Sequence, residues 1–217
     1  AIALAPNYAA AWAWKACLFG QALGRGFQPD SRALFEGAVA AVEKALSLDE
    51  NEVECHRILC EISMESGQLS KAELHNERAL SLNPNDPRLL AQRGELLTWL
   101  GDAGEGENRI RMAMRLDPYS APVWAHLLGR ALMQQGNYAE AIEAYLKSSY
   151  PRFGYHADIA GCYAKLGMQD EAAKQAALAI KLKPDFSVSD YVATLAYKNE
   201  QDRERHRNVL QDGLLPA

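Results

Sequence analysis

The sequence predicts an all-α fold, a right-handed superhelical solenoid of antiparallel helix pairs. Three observations carry this expectation. Ala79-Leu80-Ser81-Leu82-Asn83-Pro84 recurs as Ala113-Met114-Arg115-Leu116-Asp117-Pro118, and more loosely as Ala45-Leu46-Ser47-Leu48-Asp49-Glu50 and Ala179-Ile180-Lys181-Leu182-Lys183-Pro184. The steps from Ala45 to Ala79 and from Ala79 to Ala113 are each 34 residues, and self-similarity at a fixed period of that size marks a stacked repeat. Glycines recur on the same rhythm at Gly67, Gly101, Gly136 and Gly167, where each helix pair must turn.

Residues 1–7 read as the tail of a preceding repeat, with Ala1-Ile2-Ala3-Leu4-Ala5-Pro6 as a copy of the recurring end. The first repeat, 8–52, opens with a helix over about 8–21 carrying Tyr8, Trp12, Leu18 and Phe19. Gly20, Gly24, Gly26 and Pro29 then break the helical pattern, and the step from Ala1 to Ala45 is 44 residues, so an insertion is placed at 21–30. Asp30-Ser31 can cap the next helix, whose apolar stripe is Leu34, Val39, Val42 and Leu46. The second repeat, 53–86, has a first helix (A) over about 52–66, a turn at Gly67-Gln68, and a second helix (B) capped by Ser70.

The third repeat, 87–120, keeps the length. In its B helix Gly106 stands where other repeats have Ala72, Ala141 and Ala172, which implies a close approach of helices. The fourth, 121–151, contains Trp124 and stops early at Pro151. The fifth, 152–185, uses Phe153, Tyr155, Ile159 and Tyr163, and a capping pair over about 186–197 and 200–211 closes the chain within 186–217. One hairpin cannot bury both of its faces, so stacking provides the core, and the A helices are expected to line a concave groove.

Composition narrows the function. The chain has 217 residues, 48% hydrophobic and 24% charged, with a net charge of −5. An acidic balance argues against nucleic acid as the main ligand, and no apolar run approaches the roughly 18 residues of a membrane span. The basic cluster Arg203-Glu204-Arg205-His206-Arg207 reads as the solvated face of a terminal helix. Cys17, Cys55, Cys60 and Cys162 form no Cys-x-x-Cys pair and fit free thiols in a reducing compartment. No signal segment opens the chain, and the start at Ala1 reads as an excised piece of a longer protein.

Trp12, Trp124, the four turn glycines, Ala72/Ala141/Ala172, Ala79/Ala113/Ala179 and Pro84/Pro118/Pro184 together resemble the tetratricopeptide repeat over essentially the whole chain. Gly106, Lys15 at a usually apolar position, the insertion and the short fourth linker depart from that pattern. The resemblance implies a non-catalytic protein-binding module. Asp185-Phe186-Ser187, Tyr197-Lys198-Asn199, Asp202-Arg203-Glu204-Arg205 and Gly213-Leu214 with Pro216 are also similar to C-terminal repeat regions of some bacterial cyclase-like and winged-helix signalling proteins. That second resemblance implies a cytoplasmic bacterial sensor or scaffold.

Candidate chemistry is sparse. His56 and Cys60 share a helix face, but Cys55 points about 100° away from His56 and no fourth ligand is evident, so no metal site is expected. Gly101-Asp102-Ala103-Gly104-Glu105-Gly106 lacks the lysine and preceding strand of a phosphate loop, and no serine has a nucleophile-elbow context. No catalytic residue and no cofactor are expected.

The candidate partner-binding residues are those the repeat register turns inward. They are Arg57 and Glu61 in the second repeat, Arg88, Gln92, Glu95 and Trp99 in the third, His126 and Arg130 in the fourth, and Asp158 in the fifth. Mixed charge with one tryptophan suits a peptide whose apolar side chain rests on Trp99; the bland reading is a solvated helix face. The Lys/Asn/Arg set that some tetratricopeptide proteins use on a terminal carboxylate is not found. The expected function is capture of a protein or peptide in the groove. The alternative is a regulatory or self-association module of a larger signalling protein, with the Ala1–Leu4 end promoting a homodimer.

Overall fold

The computed structural model describes residues 1–25, 31–149 and 152–216, which form twelve α-helices. It divides into two compact units, Ala1–Pro84 and Asn85–Ala217.

The first unit holds two hairpins, α1 (Ala9–Arg25) with α2 (Ser31–Leu48) and α3 (Val53–Glu65) with α4 (Leu69–Leu82). Its core is built from small and branched side chains, Ala13, Ala16, Ala41, Val42, Ala45, Cys55 and Ile58. Alanine at facing positions lets the helices approach closely and bury backbone as well as side chain. Two expectations need correction. Helix α1 does not stop near residue 21 but runs through Gly20 and Gly24 to Arg25. An interior glycine costs about 1 kcal/mol, too little to end a helix anchored by Ala13 and Ala16. Residues 26–30 of the expected insertion lie outside the described residues. Helix α4 starts at Leu69, with Gln68 in the cap position, so Ser70 sits in the first turn and caps nothing. Lys15, odd on sequence grounds, lays its Nζ 5.1 Å from the Trp12 ring and 5.7 Å from that of Phe19, so its charge rests on aromatic faces.

The second unit stacks three hairpins: α5 (Pro87–Leu100) with α6 (Ala103–Leu116), α7 (Ala121–Gln134) with α8 (Tyr138–Leu146), and α9 (Phe153–Lys165) with α10 (Gln169–Leu182). Two further helices follow, α11 (Val188–Ala193) and α12 (Glu200–Asp212). Helix α5 begins where Pro87 fixes the first turn and the Asp86 carboxylate accepts the Arg88 N–H at 2.9 Å. It ends at Gly101, whose φ of 99° lies in the left-handed region that side-chain-bearing residues avoid. The expected close approach at Gly106 is present: a Cβ there would come 2.6 Å from Thr98 Oγ1 and 2.7 Å from the Gly94 carbonyl oxygen.

Helix α7 packs against both α5 and α9, so these three A helices share one side of the unit, and α12 lies on α9 and α7. The C-terminal segment is the expected pair of helices, but its first helix does not fill the expected 186–197. Helix α11 has only six residues, and an irregular stretch leads from it into α12. Phe186, Val188, Val192 and Leu210 bury themselves with Ala157 and Ala179. The basic cluster is not a solvated face either. Arg203 donates to the carbonyls of Val192, Leu195 and Tyr197 at 2.9–3.0 Å, and His206 is fully buried. Its neighbours in sequence hid this, because only every third or fourth residue of α12 faces inward.

Candidate functional site

The A helices of the second unit converge on a mixed polar and aromatic cluster. Trp99, near the end of α5, is 5% exposed. The Arg130 guanidinium from α7 lies 4.6 Å from its ring centre, and Tyr197 meets the ring edge-on at 4.7 Å. Backbone fixes this contact as well: the Lys198 N–H donates to the Trp99 carbonyl at 2.9 Å. Trp99 is thus covered by the chain's own C-terminal segment.

Arg130 is 8% exposed, and its NH1 is 3.7 Å from Glu95 Oε1. Burial opposes its charge, while Tyr145, Tyr191, Asp158 and Tyr197 around it favour that charge. Its Nε has no hydrogen-bond partner among the described residues.

Beside it runs a closed hydrogen-bond chain. Asp158 accepts from the Tyr145 hydroxyl at 2.7 Å and from His206 Nε2 at 2.8 Å. His206 Nδ1 lies 3.0 Å from the Tyr197 hydroxyl, which accepts from the Gln134 amide. One assignment satisfies every member: the Gln134 N–H donates to Tyr197, the Tyr197 O–H to His206 Nδ1, and His206 Nε2–H to Asp158. Asp158 and His206 are both fully buried. Burial and the Asp158 charge raise the Tyr145 hydroxyl above the usual phenol range, so it stays a proton donor.

Toward the N-terminal ends of α7 and α9 the surface opens. The His126 ring stacks on Tyr155 at 4.8 Å, both part-exposed. Burial, with the positive charges of Arg130 and Arg152, pulls the His126 imidazole down to about 3, so it is neutral at ordinary pH. Arg152 is exposed at the mouth of this stretch. Arg88 folds back on Asp86, with NH2 2.8 Å from Oδ2.

Among known sequences and structures, the tetratricopeptide-repeat profile matches residues 125–150. A 70-residue segment is 33% identical to "Small glutamine-rich tetratricopeptide repeat-containing protein 2" of Mycosarcoma maydis, covering 32% of this chain and 20% of that protein. The fold is similar to a chain of the APC/C hetero-tetramer Cut9-Hcn1 (TM-score 0.73, 19% identity, 90% of this chain and 37% of that one). It is also similar to YrrB, described as a TPR protein with an unusual peptide-binding site (TM-score 0.53, 18% identity, 89% of this chain and 96% of that one). The chain carries one segment, residues 125–150, that matches a tetratricopeptide repeat. It spans about a fifth of the fungal relative and under two fifths of the Cut9-Hcn1 chain.

Glu95, Trp99, Arg130 and Asp158 come together with His126 around one cluster. Trp99, Arg130 and Asp158 are buried there, so the expected landing place for an apolar side chain on Trp99 is filled by Tyr197. Gln92 is buried as well, while Arg88 stands apart at the start of α5. In the first unit Arg57 is held on its own helix by Glu54 at 2.7 Å and Glu61 at 3.1 Å, and its NH2 lies 3.5 Å from Cys17 Sγ.

Sequence reasoning missed Tyr197, His206 and Gln134 as members of the cluster. A signal existed for one of them: His206, Val209 and Leu210 follow the i, i+3, i+4 spacing of a buried helix stripe. Nothing local marked Tyr197 or Gln134, which meet only through tertiary packing. No group of three or more His, Cys, Asp or Glu converges on a metal position among the described residues. The four cysteines are unbridged, and no described helix is long and apolar enough to cross a membrane.

Proposed function

We propose that the chain is a non-catalytic module that holds a protein or peptide partner on the A-helix side of its second unit. The partner contacts the open stretch formed by His126, Tyr155, Glu95 and Arg152. The observation that carries this reading is the stacked, part-exposed His126–Tyr155 pair beside a region already closed by Tyr197. Such a stack presents a flat apolar face rimmed by charges of both signs, which suits an extended segment with one aromatic or branched side chain. YrrB, similar in fold, is described by its peptide-binding site, which supports the same class of ligand. A protein ligand also fits the chain's net charge of −5 better than a nucleic acid does.

The test is selection of binders from a displayed random-peptide library, followed by affinity measurement on His126→Ala and Glu95→Ala. Loss of about tenfold or more in affinity, equivalent to about 1.4 kcal/mol, is expected for at least the histidine variant. Selected peptides that bind both variants as well as the parent protein would place the site elsewhere.

A second reading, self-association within a larger signalling protein, draws on Trp14 and Leu18, which lie one turn apart on α1 and are 50% and 64% exposed. Sedimentation over a range of concentrations separates the two: a strict monomer removes the second.

A further inference from the structure

The first unit contains a pair of imidazoles that partner binding does not use. His56 stands on α3 and His75 on α4, both part-exposed. Their Nδ1 atoms are 3.2 Å apart, with the rings 5.4 Å apart and tilted by 32°. The other nitrogen of His56, Nε2, is 3.0 Å from the Glu50 carbonyl oxygen. A carbonyl only accepts, so Nε2 of His56 carries a proton. Neutral His56 then offers a lone pair at Nδ1, and the proton between the rings comes from His75 Nδ1.

The fifth repeat shows what packing alone requires at this place. His156 on α9 and the Gln175 side chain on α10 have the same separation of 19 residues, and Nδ1 lies 2.7 Å from Oε1. One hydrogen bond across the hairpin is enough there, and a carboxamide supplies it. The His56–His75 pair differs in bringing together two nitrogens that can both become lone-pair donors. Two nitrogen ligands roughly 2.0–2.1 Å from one ion, at tetrahedral to right angles, are separated by roughly 2.9–3.4 Å. The observed 3.2 Å falls inside that span. Imidazole is a preferred ligand of zinc, nickel and copper. The His56 N–H to Glu50 bond is the kind of outer contact that orients a metal-bound histidine.

We infer that His56 and His75 form a two-imidazole site for a borderline divalent transition-metal ion of the zinc class, which takes the place of the shared proton and pins α3 to α4. His75 moves its proton from Nδ1 to Nε2, both Nδ1 atoms bond the ion, and no net proton is released from the neutral pair. Water completes the coordination shell, since no third protein ligand converges there among the described residues.

The test is calorimetric titration of the intact chain with zinc chloride near neutral pH in a non-coordinating buffer, alongside His75→Gln and His56→Gln. The parent protein is expected to show a single saturable event, and each variant at least about tenfold weaker binding. In His75→Gln the introduced amide can keep the hydrogen bond to His56, as Gln175 does with His156, so its metal-free unfolding temperature should match the parent's. Zinc should raise that temperature in the parent alone. Imidazole NMR of the unmutated chain gives a readout independent of how the variants fold: zinc should shift His56 and His75 before His126, His156 and His206. Absence of saturable binding, equal binding by His75→Gln, or equal shifts of all five histidines overturns the proposal.

Discussion

Asp158 on α9 and His206 on α12 are both fully buried and share a 2.8 Å hydrogen bond across 48 residues of sequence. The bond ties the C-terminal helix to the repeat stack and belongs to a chain in which every polar atom has a partner. Removing one member strands the rest. Asp158→Ala is expected to lower the stability of the second unit by about 3 kcal/mol or more, because it leaves the Tyr145 hydroxyl, His206 and Arg130 without their common anion. Chemical denaturation followed by tryptophan fluorescence checks this, since Trp99 sits against the same cluster.

The glycines of the third repeat separate packing from propensity. Gly106→Ala drives a methyl group against Thr98 and the Gly94 backbone and should cost about 1–3 kcal/mol. Gly104, in the same helix, has only Gln135 Oε1 at 3.8 Å in its way, so Gly104→Ala should stabilise by about 0.5–1 kcal/mol. Thermal unfolding of the two variants should therefore move in opposite directions.

Arg203 and Arg207 belong to one basic cluster but differ in what they hold. Arg203 closes three backbone carbonyls between Val192 and Tyr197, and Arg203→Ala is expected to cost about 1–3 kcal/mol by leaving them unpaired. Arg207 pairs with Glu204 one turn away on the same helix, and Arg207→Ala should change stability by less than about 0.5 kcal/mol. Similar losses for both variants in urea titrations would contradict this division.

His126 gives a pH signature. Burial and the Arg130 charge hold its folded imidazole at about 3, below the ordinary histidine value of about 6.5, so between these values the unfolded chain binds the proton more readily. The contribution is fully present above about 6.5 and is lost as pH falls toward 3. Denaturation between pH 7 and pH 4 should show the midpoint falling with acid, and His126→Phe should flatten part of that slope. His75 is displaced in the same direction by burial, His56 and Lys71, so a residual slope is expected in the variant.

The 34-residue rhythm, the four turn glycines and the terminating prolines were legible in the sequence because they act locally: a glycine sets a left-handed turn and a proline ends a helix wherever they stand. The close approach at Gly106 was legible for the same reason, since a missing side chain at a repeated alanine position has one main geometric use. The A-helix register also pointed to Glu95, Trp99, Arg130 and Asp158 as neighbours. What the sequence alone could not decide was what covers them. Tyr197 and His206 reach Trp99 and Asp158 only after three hairpins have stacked and α12 has returned across α7 and α9. That contact joins residues as many as 98 apart. Burial turned an expected binding tryptophan into a core residue and an apparently solvated basic cluster into a set of caps. It does so because hydrogen-bond satisfaction and desolvation are properties of the assembled surface, and no periodicity in the chain encodes them.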